Sequence, residues 1–353
     1  MIVQTLKWLA KVLLLLFTAL AIFLIYITVS DYKPSAQVKL HNENNSSRLM
    51  QLDVPFTVTT FNIGYGGLDK DQDFFMDGGT MSRSSSKEQT ENNLNAVTRF
   101  LQDNYSDVYM LQEVDMNSSR SFRINEVQKL RDSMQKYGSV FAYNYKVPWV
   151  PVPLARPMGA VQSGLLTLSS FQSTSNIRFD LPGKENWPVQ QFELDRGFIE
   201  TRLPVDNGKE LILINLHLSA FDQGGTIRKQ QLEFLENYID QEMLKENYMM
   251  IGGDWNHSLP GTDPGSFPAK QDWPEWLQPF PESFGPGDFR WAVDPKISSV
   301  RTLDAPYQTG VHFLAVIDGF FVSPNVEIVN VVGHDLHFEN SDHNPVTGSF
   351  ILK

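Results

Sequence analysis

The chain has no cysteine among its 353 residues. That excludes a disulfide framework, a thiolate metal site, a cysteine nucleophile and a lipidated cysteine. Basic residues are scarce beside acidic ones: 29 Lys and Arg against 41 Asp and Glu, for a net charge of -12. Binding long nucleic acid needs a basic field against the phosphates, so the overall charge opposes that role, although a local basic groove is compatible with it. No long apolar run follows residue 30. No internal repeat is apparent, nor a second-domain linker after residue 53, so 54–353 reads as one domain.

The one long apolar run stands at the N-terminus. Val12 to Val29 is apolar apart from Thr18, Tyr26 and Thr28, and the run reaches back past Lys11 to Trp8. It is long enough to cross the hydrocarbon core of a membrane. Lys7 and Lys11 precede it, while Asp31 and Lys33 follow. The cationic end is therefore expected in the cytoplasm and the remainder outside it. A cleaved signal peptide is the alternative, but the run is long for one and no small-x-small cleavage site follows. A buried core helix fits worse, since no polar residues alternate along it. Residues 1–33 are thus expected to form a single-pass membrane anchor. Residues 34–53, with Asn42, Asn44, Asn45, Ser46 and Ser47, are expected to be a polar tether.

Beyond the tether, strands and helices interleave. Val54 to Asn62 alternates as a half-buried strand, and Val108 to Leu111 is a short apolar strand. Helices are expected over Lys87–Tyr105, Asn125–Tyr137 and Thr226–Leu244. Lys70–Ser86 reads as a loop; its alternating Asp69, Asp71 and Asp73 lack the glycine and distal glutamate of a calcium loop. Tyr145–Pro157, stiffened by four prolines, also reads as a loop. Gly197–Leu203 and Glu210–Leu218 read as a hairpin joined through Asp206-Asn207-Gly208. Pro260–Pro295, dense in proline and aromatics, reads as a packed long loop, with an exposed lipid-contacting surface as the alternative.

Polar residues recur where these strands end. Asn62 closes the first strand, as a neutral oxygen ligand or as a turn asparagine. Glu113 sits just past an apolar strand, where a carboxylate must be solvated, paired or metal-bound. Arg120 and Arg123 follow, placed either to meet phosphate or to balance nearby acids. Asn215 and His217 share a strand face by period two. Gly252-Gly253-Asp254-Trp255-Asn256 follows another apolar run. Ala315–Ser323 reads as a strand in which Asp318 lies in apolar company and needs a partner, for which His343 is the natural candidate. Ser341-Asp342-His343-Asn344-Pro345 sets a carboxylate beside an imidazole before the last strand. Asp suits a hard cation, and neutral His can accept a proton from water near neutral pH.

The order Phe61-Asn62, Gln112-Glu113, Asn215-x-His217, Gly253-Asp254-x-Asn256, Ile317-Asp318 and Ser341-Asp342-His343 resembles the endonuclease/exonuclease/phosphatase superfamily. Its members include pancreatic-type deoxyribonucleases, abasic-site endonucleases, neutral sphingomyelinases and inositol polyphosphate 5-phosphatases. Each motif is weak alone; six in order across the domain are specific. The resemblance implies an α/β fold of four layers, two packed mixed β-sheets flanked by helices, here preceded by the transmembrane helix. It implies a Mg²⁺ (or Mn²⁺) ion held by Glu113 with Asn62 and Asp342. His343 would be the general base, oriented by Asp318; Asp254 would position the attacking water. Asn256 would hold a phosphate oxygen, and His217 would stabilise its developing charge. Asn215 and Arg120 are expected at the substrate.

The expected activity is metal-dependent hydrolysis of a phosphodiester outside the cytoplasm. The anchor, the acidic charge and the aromatic loop favour a phospholipid head group, as for a sphingomyelinase. A membrane-tethered nuclease is the alternative, and a catalytically silent adaptor on the same fold a third. The expected partners are the phosphodiester substrate, lipid or nucleic acid, and the membrane through the N-terminal helix; no protein partner is inferred.

Overall fold

The computed structural model of the chain describes residues 2–220 and 223–353. Helix α1 (Ile2–Val29) is long and apolar enough to cross a membrane. The chain then runs through β1 (Gln37–Lys39), β2 (Phe56–Asn62), α2 (Lys87–Asp103), β3 (Val108–Asp115), α3 (Glu126–Ser133), β4 (Gly138–Val150), β5 (Gly159–Ser169) and β6 (Ser175–Asp180). It continues through β7 (Gly197–Pro204), β8 (Glu210–His217), α4 (Thr226–Met243), β9 (Tyr248–Asp254), β10 (Arg290–Ala292), β11 (Asp318–Val322), β12 (Val326–Gly333) and β13 (Val346–Leu352).

Two large sheets result. One has the order β1-β6-β7-β8-β9-β11-β10 and the other β12-β13-β2-β3-β5-β4. Each is antiparallel except for one central parallel pair, β8–β9 in the first and β2–β3 in the second. A parallel pair needs a crossover, and α4 and α2 supply it. Phe56, Val58, Met110, Leu213, Met250, Phe320 and Phe350 fill the space between the sheets. Leu94, Val97 and Leu101 of α2 and Leu130 of α3 cover one outer face; Leu232, Leu235 and Ile239 of α4 cover the other. The four layers follow from this burial on both faces of each sheet. Truncating a core ring such as Phe320 to alanine would cost about 3–5 kcal/mol.

Three expectations need correction. Residues 34–53 are not a free tether. β1 pairs with β6, Glu43 bridges to Ser139 and Met50 to Val205, while Asn42 and Asn45 bond Ser173. The polar side chains that suggested a solvated linker are bonded to the domain instead. Tyr145–Pro157 is not all loop. β4 runs to Val150 and forms a hairpin with β5, because at a sheet edge the missing N–H of Pro148 costs no ladder bond. Thirdly, the 315–323 run is broken: only Asp318–Val322 joins the main sheet, while Leu314–Ala315 pairs with Val300–Arg301.

The aromatics of 260–295 pack inward, as the preferred reading expected. Trp255 is fully buried among Phe280, Phe284 and Trp291, whose ring centroids lie 5.6, 6.2 and 4.8 Å away. Trp273 is the exposed exception.

Candidate active site

The two parallel pairs end side by side. Asn62 pairs in register with Gln112 at the end of β2–β3, and His217 with Asp254 at the end of β8–β9. Ligand sites in such sheets form beyond the carboxyl ends of parallel strands, and the candidate residues collect there.

Local backbone demands explain several of these residues. Gly253 has φ +141°, and a Cβ there would lie 2.0 Å from the carbonyl oxygen of Leu216. The Gly-Gly before Asp254 thus lets β9 approach its neighbours closely enough to deliver the carboxylate. Glu113 has φ 53°, where the β3–β5 register slips between Leu111 and Val114. This bulge turns the glutamate toward the cleft, a strained conformation of the kind that collects at functional sites. Asn256 also has positive φ, at 50°, with its N–H donating to Asp254 Oδ1 at 3.0 Å.

Asp254 is the point of convergence. Its Oδ2 accepts from Asn62 Nδ2 at 3.0 Å and lies 3.4 Å from His217 Nε2 and 3.6 Å from His343 Nε2. Asp318 faces Asp254 across the β9–β11 ladder, and its Oδ2 lies 2.8 Å from His343 Nδ1. Asn256 Nδ2 donates to the Leu218 carbonyl at 2.8 Å.

The two histidines are driven apart. Burial pushes His217 well below its ordinary value, with Arg196, His343 and Arg120 adding to the shift. Burial also acts downward on His343, but Asp318 and Asp254 outweigh it and raise it to about 10. Asp254 is pushed up to about 7 by burial, partly offset by His343. Opposed shifts of neighbouring groups are how acid and base roles are separated at one pH.

A cation-binding set lies beside this group. Burial raises Asp342 to about 6, with Glu113 adding to it against the opposing charge of His343. Glu113 is partly open to the cleft. Two carboxylates at one cleft wall suit a hard divalent cation, which takes oxygen ligands. Asn62 presents its NH₂ to Glu113 at 3.3 Å, and its Oδ1 accepts the Gly64 N–H at 3.1 Å. Asp254, Asp318 and His343 also converge closely enough to hold a metal. There, however, His343 Nδ1 and Asp318 Oδ2 are already bonded to each other, so that trio reads better as a proton relay.

Two expected residues stand elsewhere than in an open substrate position. Asn215 does not line the cleft. It lies between the sheets, accepting from Gln112 Nε2 at 2.9 Å and donating to Leu111 O, Leu166 O and Thr167 Oγ1. Its polar group sits at a core position because it bonds both sheets. Arg120 does line the cleft, but it pairs with Asp115 at 3.0 Å, lies 3.6 Å from Glu113 and stacks over Tyr65 at 3.7 Å. Arg123 bonds Asn117 on the surface.

The cleft has a volume of about 520 Å³ and includes Asn62, Glu113, His217, Asp254, Asn256, Asp342 and His343. It also holds residues that sequence reading missed: Tyr65, Arg196 and Arg301. Arg196 is nearly buried and donates to the His217 carbonyl at 3.3 Å. Arg301 donates its backbone N–H to the Asp342 carbonyl at 3.2 Å. Arg196 directly precedes the Gly197–Leu203 strand, but neither it nor Arg301 sits in a sequence pattern that marks a site.

Comparison with known proteins agrees with this architecture. The model of the Endonuclease/Exonuclease/phosphatase family matches residues 59–343. Curated protein sequences give no match. An endonuclease/exonuclease/phosphatase from Beutenbergia cavernae DSM 12333 is similar in structure, with a TM-score of 0.55 at 16% identity, covering 84% of this chain and 72% of the other. ANGEL2, a 2',3'-cyclic phosphatase, gives 0.55 at 16% identity, covering 89% and 99%. A Bacteroides vulgatus protein of the same description gives 0.51 at 17%, covering 85% and 100%. At these identities the structural likeness speaks for the fold, and the family model carries the assignment. The chain belongs to the endonuclease/exonuclease/phosphatase family.

Proposed function

We propose that the chain is a membrane-anchored, divalent-metal-dependent phosphoesterase acting outside the cytoplasm on the phosphodiester of a phospholipid head group, in the manner of a sphingomyelinase. The observation that carries the substrate reading is the make-up of the cleft. Its floor holds the carboxylates and imidazoles, and its wall includes Leu68, Phe74, Phe75, Val150, Met158 and Phe192. Its mouth carries Asp31, Glu185 and Asp195 beside Lys33 and Lys184. Long nucleic acid would want a basic track, whereas this lining suits an amphiphile with a phosphate.

Glu113 and Asp342, with Asn62 beside them, would hold Mg²⁺ (or Mn²⁺), which neutralises phosphate charge and polarises the ester. Asp318 accepts the Nδ1–H of His343 and leaves Nε2 directed toward Asp254. His343, raised to about 10 by Asp318 and Asp254, stands as the imidazolium, so the Asp254 carboxylate beside it takes the proton of the attacking water. His217, kept neutral, and Asn256 hold phosphoryl oxygens. Arg196 and Arg120 add positive charge behind them.

A membrane-tethered nuclease is the second reading, favoured by the likeness to ANGEL2, a 2',3'-cyclic phosphatase solved in complex with adenosine-2',3'-vanadate. The two separate on one comparison. Full-length protein in sphingomyelin-containing bilayers, supplied with Mg²⁺, is expected to release phosphocholine and leave plasmid DNA intact. Nicking of plasmid with inert lipid would replace the lipid reading by the nuclease.

A further inference from the structure

Outside α1, a group of large exposed apolar side chains stands on two loops beside the end of that helix. Residues 2–20 of α1 are exposed along their whole length, and cover begins at Ala21. Lys11 marks the cytoplasmic edge of the apolar run, and Val12–Val29 beyond it spans about 27 Å, close to the hydrocarbon thickness of a bilayer. The last turns of α1 therefore approach the outer interface, and there they touch the domain. Phe23 stacks on Phe192 with centroids 6.2 Å apart, and Thr28 Oγ1 accepts from Trp187 Nε1 at 3.1 Å. Ile27 is fully buried. Phe192 in turn packs with Val150 and Met158 at the base of the β4–β5 hairpin.

Around this junction stand large apolar side chains open to solvent. The hairpin tip carries Trp149, 39% exposed, Val152 and Leu154, 86% exposed. The neighbouring loop carries Trp187, 55% exposed, and Val189. Single exposed hydrophobes are ordinary, but five on two adjoining loops at one level of the molecule form a surface. Tryptophan is the residue of choice where one side is lipid and the other water. Lys146 adds an ammonium above the Tyr32 and Tyr143 rings, at 5.1 and 4.7 Å, placed for lipid phosphate. Val152, Lys33 and Lys184 also line the cleft, so this surface is continuous with the cleft mouth.

We infer that the hairpin tip 149–157 and the loop 183–193 form an apolar collar that seats in the interfacial layer of the membrane crossed by α1, so that the cleft opens onto that leaflet. The occupant of the collar is the lipid surface itself. The inference rests on reading α1 as a membrane anchor and not on the substrate assigned to the site. It also gives the contacts of residues 34–53 a consequence: the domain is held down against the bilayer and does not swing above it.

The absence of native cysteine makes the test direct. Nitroxide labels are attached to Leu154→Cys, Leu14→Cys and Leu244→Cys variants of the full-length protein in phosphatidylcholine bilayers. Collision rates are measured with oxygen, which partitions into lipid, and with a water-soluble nickel chelate. Leu244 is as exposed as Leu154, at 86%, but follows α4 at the end of the sheet away from His217. The label at 154 is expected to give an oxygen-to-nickel ratio severalfold above that at 244 and nearer to that at 14. If 14 reads as lipid while 154 matches 244, the collar is overturned and the anchor stands. If 14 also matches 244, the anchor reading fails and takes the collar with it. Hydrolysis of lipid enters neither result. A second arm uses Leu154→Glu and Val189→Glu, which lie outside the cleft. Both are expected to slow hydrolysis of bilayer lipid severalfold while leaving cleavage of soluble bis(4-nitrophenyl) phosphate unchanged. Equal rates on bilayer lipid would contradict the collar.

Discussion

The Nδ1 of His343 lies 2.8 Å from Oδ2 of Asp318, with both side chains buried. That bond fixes which ring nitrogen faces the cleft. Asp318→Asn would keep the shape but remove the charge that holds the tautomer. It is expected to lower the hydrolysis rate by about 10²–10⁴-fold, the range for a lost general acid–base contribution. The check is a steady-state rate beside a thermal melt showing that the variant still folds. Near-normal turnover would remove the pair from the mechanism.

Glu113 and Asp342 carry the metal assignment. Added Mg²⁺ is expected to raise the melting temperature of the unaltered protein, since a ligand that binds the folded state stabilises it. Glu113→Gln and Asp342→Asn are each expected to abolish most of that rise, as read by calorimetry. An undiminished rise in both variants would place the ion elsewhere.

Arg120 carries a structural load, the balancing of a nearby acid that was one of the two roles its place in the sequence allowed. Asp115 is fully buried, and Arg120 satisfies it through two nitrogens. Arg120→Met would strand that carboxylate, at an expected cost of about 3–5 kcal/mol in chemical denaturation. A loss of activity without a loss of stability would show instead that the guanidinium serves the substrate alone.

Asn215 is expected to act through stability as well. Asn215→Leu would leave Gln112 and two carbonyls without its amide, a loss of about 1–3 kcal/mol. KM is expected to stay unchanged in the folded fraction, and a KM shift of tenfold or more would return the residue to the substrate.

Asp195 supplies a pH dependence. Burial raises it from 3.8 to about 7, with Lys184 opposing. A carboxyl with a raised folded value binds its proton more tightly when folded. Its contribution is therefore intact below about pH 4 and is lost as pH rises toward 7. Asp195→Asn is expected to melt higher than the unaltered protein at pH 8, with the gain shrinking toward pH 4. A gain that grows on acidification would contradict the shift.

Much of the fold was legible because its strands end in polar residues that apolar strands do not otherwise tolerate. Phe61-Asn62 and Gly253-Asp254 mark strand ends by the switch from period two to a carboxylate or amide. Other features left no such mark. Four prolines hid β4, since proline reads as loop and only an edge position excuses it. Asn42 and Asn45 read as linker because their partner at Ser173 is distant in sequence. Tyr65 and Arg196 reach the cleft as single side chains without a surrounding pattern. Asn215 looked like a site residue because it shares a face with His217, yet that face is the inter-sheet core until its last residue.

The most direct measurement is head-group release from sphingomyelin by the full-length protein in the same bilayer, with Mg²⁺ and with chelator, for the unaltered chain and for Glu113→Gln. The account expects release with Mg²⁺, none with chelator, and a loss of orders of magnitude in the variant. Release that persists in chelator, or that Glu113→Gln leaves intact, would contradict the assignment of this site as a metal-dependent lipid phosphoesterase.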